Sequence, residues 1–76
     1  MATVELDCKG LSCPMPIVKI SRAMKELIAG DCLCVFASDP SFQSDVEAWV
    51  RKMGHVLIDF KEQQGVQRAM IEKGAS

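Results

Sequence analysis

Four thiols and a single imidazole make up most of the reactive inventory of this chain: Cys8, Cys13, Cys32, Cys34 and His55. Cys13 has the most telling neighbours. In the stretch GLSCPMPIVKIS, Gly10 to Ser21, it directly precedes Pro14, with Pro16 two positions on, at the threshold of an amphipathic helix. Taken as the N-cap, Cys13 puts Pro14 at the first helical position and Pro16 at the third, where a missing N–H costs nothing because the first four amides of a helix have no internal partner. The amides of Met15 and Ile17 are then expected to stay free and to face the helix mouth. A thiolate there feels the positive end of the helix dipole, a setting that lowers a cysteine pKa. Lys9, Lys19, Arg22 and Lys25, with no acidic residue from Lys9 until Glu26, predict electropositive surroundings. Cys13 is therefore expected to be partly exposed, anionic and reactive.

Its neighbours narrow the chemistry. Cys8 lies five positions earlier, so C-x-x-C disulfide exchange lacks its spacing. A cysteine hydrolase calls for a histidine base. His55 follows a predicted helix stop, where it reads as a surface residue favoured as a cation. One activated sulfur without a base suits the capture of a sulfur atom as a persulfide that is then handed on. Cys8 has two readings, a strand-end core residue or a resolving thiol that releases sulfur by forming a disulfide with Cys13. Cys32 and Cys34 form C-x-C within a strand, about 6.6–7 Å apart on one face, too far for an easy disulfide and in no zinc spacing. They read as buried small side chains, and no metal or other cofactor is called for. Asp39 reads as the N-cap of a second helix. If both β-α turns share one end of the sheet, it also stands near Cys13, opposing thiolate formation or positioning a partner; Asp7 carries the same two readings. Met15, off the apolar stripe, is expected to be exposed for docking.

These groups need a scaffold. TVELD alternates as a half-buried strand, and CKGLS turns. From Pro14, the residues Ile17, Ile20, Met24, Leu27 and Ile28 form an apolar helical stripe that Gly30 would close. CLCVFAS reads as a central strand. Asp39 and Pro40 would open a second helix with the stripe Phe42, Val46, Trp49, Val50 and Met53, stopped by Gly54. Val56, Ile58 and Phe60 then alternate with Leu57, Asp59 and Lys61, and EQQG joins this strand to VQRAMIE as a hairpin. The order β-α-β-α-β-β predicts an α+β two-layer α/β sandwich: a mixed four-stranded sheet with both helices on one face.

At 76 residues the chain is one domain, residues 1–76, and a chain of this size buries only about 60% of the surface its unfolded form exposes. Hydrophobic residues make up 49% and charged residues 25%, which excludes disorder by composition. A net charge of −1 gives no bulk attraction to a polyanion, so direct nucleic-acid binding is not expected. Neither a membrane span nor a secretion signal is visible, which predicts no membrane partner and a cytoplasmic location.

LDCKGLSCPMP resembles the signature of the TusA/SirA-like sulfur-carrier (sulfurtransferase) family, D-x-x-G-x-x-C-P-x-P, matched by Asp7, Gly10, Cys13, Pro14 and Pro16. ASDP before helix two, Gly54-His55 after it and the ending GVQRAMIEK extend the likeness along the chain. The resemblance implies the same β-α-β-α-β-β sandwich, with Cys13 as the persulfide-bearing cysteine supported by Asp7, Gly10, Pro14, Met15, Pro16 and Asp39. It implies sulfur received from a cysteine desulfurase or rhodanese and passed to a DsrE-like or other acceptor protein, in tRNA thiolation, cofactor biosynthesis or sulfur oxidation. The basic residues Lys9, Lys19 and Arg22 are the candidates for partner docking. The alternative is a non-catalytic regulatory or interaction module in which Cys13 is structural.

Overall fold

CLCVFA has the composition of a strand covered on both sides, and in the computed structural model, which describes residues 2–75, it lies inside the sheet. The elements are β1 (Thr3–Cys8), α1 (Met15–Met24), β2 (Cys32–Ala37), α2 (Phe42–Met53), β3 (Val56–Gln63) and β4 (Val66–Glu72). Strand order is β1-β2-β4-β3. β1 runs parallel to β2, and the β2–β4 and β4–β3 pairs are antiparallel, so the sheet is mixed. The architecture is the predicted two-layer one, with α1 making the crossover that parallel pairing requires.

The period-2 rule assigns the two faces of the sheet. Leu33, Val35 and Ala37 of β2 and Ala69 and Ile71 of β4 are fully buried against Ile20 and Met24 of α1 and Phe42, Val46 and Val50 of α2. Phe42 stacks on Phe60 with ring centroids 6.2 Å apart. Each fully buried side chain of this kind contributes about 1.5–3 kcal/mol, so truncating Phe42 to alanine should cost about 3–5 kcal/mol. On the opposite, helix-free face stand Phe36, Cys34, Cys32, Arg68 and Met70.

Three expectations need correction. First, α1 ends at Met24, well before Gly30. The amides of Lys25, Glu26 and Leu27 bond three residues back, tightening the last turn, and Lys73 Nζ from the C-terminal segment donates to the carbonyls of Met24 and Leu27. Leu27 stays buried while Ile28 is left 72% exposed. Second, a bulge between Leu57 and Asp59 shifts the phase of β3, so that Leu57 and Phe60 pack on the core and Val56 and Ile58 are exposed. Third, α2 starts at Phe42 with Ser41 as N-cap, two residues later than Asp39 and Pro40 predict. The predicted stop at Gly54 is present, with φ 78°. The β3–β4 turn uses Gln64 and Gly65, both at positive φ, the requirement of a two-residue type I′ hairpin.

Candidate functional site

Both β-α turns leave the sheet at the same end, because parallel strands β1 and β2 finish in register at Cys8 and Ala37. That brings Cys13, in the first turn, against Asp39, in the second. The first turn is built from its own residues. Asp7 Oδ1 accepts the Lys9 amide at 2.9 Å, the Leu11 amide donates to the Cys8 carbonyl, and Gly10 sits at φ +82°. A Cβ at Gly10 would meet no atom within 4 Å, so backbone conformation alone calls for glycine there. Ser38 Oγ accepts the Gly10 amide at 3.0 Å and links this turn to the end of β2.

Cys13 itself is exposed, and its amide donates to Asp39 Oδ2 at 2.9 Å. The helix begins one residue later than the N-cap expectation: Pro14 is the N-cap, Met15 the first helical residue and Pro16 the second. The Met15 amide is not free, since it donates to the Ser12 carbonyl at 2.8 Å. Pro16 is fully buried, wedged beneath the turn, whereas Pro14 and Met15 face solvent, Met15 at 45% exposure.

The electrostatics reverse the expectation from the basic run. Lys19 Nζ donates to the Asp7 carbonyl at 3.2 Å, Lys9 lies over the Phe36 ring on the helix-free face at 5.9 Å, and Arg22 is exposed further along α1. The charges at Cys13 are instead carboxylates. The Asp45 carboxylate is the largest influence that pushes the thiol pKa up, followed by partial desolvation and the negative charges of Asp45 and Asp39. Asp39 is held below the ordinary carboxylate range by the amides of Cys13 and Ser41 and by the Ser41 hydroxyl. Cys13 is thus an exposed thiol in an acidic setting, not the anion that a bare helix mouth would favour.

Four residues of this site were not visible as such in the sequence. Ser41 Oγ stands 2.9 Å from Asp39 Oδ2 and 3.3 Å from Asp45 Oδ2, bridging the two carboxylates. The buried Gln67 of β4 donates to the Asp39 carbonyl at 2.7 Å and fixes the second turn from below. With Ser38 and Asp45 they form the supports of the thiol. The one local signal was the density of Ser and Asp in ASDPSFQSD, a composition that bonds its own backbone in turns.

The other cysteines stand apart. Cys8 is fully buried, its thiol directed at the Pro16 carbonyl at 4.0 Å, and burial raises its pKa. Pairing with Cys13 would require Cys8 to leave the core, so the structure favours the packing reading over the resolving thiol. Cys34 is buried and Cys32 half-buried on the helix-free face, away from Cys13. Among the described residues no group of three or more His, Cys, Asp and Glu could hold a metal ion, and no helix is long and apolar enough to cross a membrane.

At the far end of the sheet, His55 is not the surface cation expected. Its Nδ1 accepts the Gly74 amide at 2.9 Å, its ring lies 5.2 Å from that of Trp49, and burial together with Lys73 lowers its pKa.

Residues 4–73 match the family model for Sulfurtransferase TusA. The protein YrkF of Bacillus subtilis is 42% identical over 73 residues, covering 96% of this chain, which spans 40% of YrkF. "Sulfur carrier protein TusA" of Allochromatium vinosum is 35% identical over 69 residues, 91% of each chain. Among solved structures, the crystal structure of the SirA-like protein from Desulfitobacterium hafniense superposes with a TM-score of 0.77 at 26% identity, covering 97% of this chain and 99% of that one.

Proposed function

The chain belongs to the TusA sulfurtransferase family of sulfur carriers, and on that premise we propose that it relays sulfur as a persulfide on Cys13. The observation that carries this reading is the contrast among its thiols: Cys13 is exposed at the head of a helix on a turn tied at both ends, while Cys8 and Cys34 are buried. In the first step the Cys13 thiolate attacks the outer sulfur of a donor persulfide. A Cys13 S–S bond forms, the donor's S–S bond breaks, and the donor departs as a thiolate with the bonding pair. In the second step an acceptor thiolate attacks the outer sulfur on Cys13, and Cys13 leaves as the thiolate. Neither step has net oxidation.

No histidine base serves the thiol, because His55 belongs to the opposite end of the sheet. Cys13 stands exposed on a turn, so specificity is proposed to come from docking of donor and acceptor proteins. A cysteine desulfurase or rhodanese is the proposed donor and a DsrE-like protein the proposed acceptor; tRNA thiolation, cofactor biosynthesis and sulfur oxidation are the candidate destinations. Exposed Met15 and Arg22 on α1, with Lys19 between them, are the proposed contact residues. The test is intact mass after incubation with a persulfide donor: the wild type should gain one sulfur atom and Cys13→Ser none. Equal gain by the variant would discard the assignment.

A further inference from the structure

The C-terminal ends of α1 and α2 enclose a cleft of about 200 Å³, at the other end of α1 from Cys13. Its apolar wall is made of the buried Met24, Trp49 and the half-exposed Met53. An indole beside two thioethers is a polarisable surface suited to a flat ring. The polar wall consists of donors. His55 Nδ1 accepts the Gly74 amide at 2.9 Å, which fixes the neutral ring as the Nε2–H tautomer, and burial together with Lys73 favours that neutral ring. Among the described residues no hydrogen bond takes up the Nε2–H. Lys73 Nζ commits two of its three N–H groups to the carbonyls of Met24 and Leu27 and keeps one. Lys25 is exposed and forms no ion pair among the described residues, and Ser21 adds a hydroxyl. Among the described residues no carboxylate lines the cleft.

We propose that this cleft binds a small carboxylate carrying an aromatic ring, with the ring against Trp49 and Met53 and the carboxylate among Lys25, Lys73 and the His55 Nε2–H. Two ammonium groups and an imidazole N–H beside an apolar wall favour an anion over a neutral or cationic ligand, because charge-assisted hydrogen bonds are the strong ones. Size narrows the ligand further. An apolar cavity of about 150 Å³ takes benzene, so this one takes a single ring with a carboxylate on a short arm. Binding is reversible and involves no covalent step. The inference does not rest on the sulfur-relay reading, since cleft and thiol lie at opposite ends of α1.

The test is a titration of the isotope-labelled protein with phenylacetate, followed by NMR at the Trp49 indole N–H and the Gly74 amide. Both signals should move along one saturable curve while those of the Cys13 turn stay in place. Phenylacetamide has the same shape without the charge and should bind about tenfold more weakly, the effect of losing one hydrogen bond to a charged group. Lys25→Met keeps the aliphatic stem and removes the ammonium. It should weaken phenylacetate about twofold to fivefold, the scale of an exposed ion pair, and leave phenylacetamide unchanged. Lys25→Arg should restore the wild-type affinity, whereas Met53→Ala should weaken both ligands alike. Thermal melts of the same samples show that each variant is folded. Shifts that do not saturate, equal affinity for phenylacetate and phenylacetamide, or a Lys25→Met protein that binds phenylacetate as the wild type does would each overturn the proposal.

Discussion

An aspartate ties each end of the sheet, and the two ends differ in what is left over. At the far end Asp31 accepts the amides of Ala2 at 3.0 Å and Ile28 at 3.1 Å, joining the segment before β1 to the loop after α1. Lys73 covers the last carbonyls of α1, and Gly74 docks on His55. These polar groups are answered by others in the chain. At the near end Asp39 makes the same kind of tie, from the Cys13 amide to the Ser41 amide. Here, however, the segment it holds carries an exposed thiol. One end uses its aspartate to finish the fold, the other to hold the turn that carries the exposed Cys13. The same device therefore serves stability in one place and positioning in the other, and the distinction can be tested by breaking each tie.

The largest effect should come from Asp39→Ala. Freed from its clamp, the Cys13 turn should load sulfur on the order of tenfold to a hundredfold more slowly, the scale of loss that follows a misplacement of about 1 Å, with a smaller change in Tm. Asp31→Ala should do the reverse, lowering Tm clearly while the folded protein loads at the wild-type rate. Loading time courses beside thermal melts decide this, and matching effects of the two substitutions would erase the contrast. The lowered pKa of Asp31 adds a pH signature: its contribution is present above its ordinary value of 3.8 and is lost as pH falls through the lower folded value. Asp31→Asn should flatten that part of the acid unfolding curve.

Next in size is Gly74→Ala. A Cβ there would collide with the Gly54 carbonyl oxygen, so the tail must shift and give up its bond to His55. The expected cost is about 0.5–1.5 kcal/mol in chemical denaturation, with Cys13 alkylation unchanged. Cys8→Ala leaves a small void beneath Pro16 and should cost about 1 kcal/mol while sulfur release proceeds as in wild type. Slowed release with accumulated persulfide would restore the resolving-thiol reading. The smallest effect concerns His55. Because its folded pKa lies below the ordinary 6.5, its contribution is present above that value and is lost as pH falls through the folded one. The fluorescence of Trp49, which touches the ring, should report that titration, and His55→Gln should abolish it.

What could be read from the chain follows the range of the interactions. The order of elements, the central place of CLCVFA, the stop at Gly54 and the hairpin at Gln64-Gly65 are set by neighbours within a few residues, and each is present in the structure. The failures are long-range. Lys73 trims α1 from 49 and 46 positions away, and a Cys13 turn that looks basic in sequence meets carboxylates brought from the second β-α turn. Ile58 broke the β3 pattern because a bulge adds one residue on one strand only, which an alternation of apolar side chains cannot register. The core motif around Cys13 was legible as a place. Its charge was legible only in part: Asp39 is expected beside it if both β-α turns share one end of the sheet, as they do, but nothing between Gly10 and Ser21 names Asp45.

Peptide-resolved mass spectrometry of the wild type, treated with a persulfide donor and then alkylated, reads directly which thiol carries sulfur. The added sulfur is expected on Cys13, with Cys8, Cys32 and Cys34 carrying none. Sulfur found on Cys32 or Cys34 at a level equal to that on Cys13 would contradict the relay through a single exposed thiol.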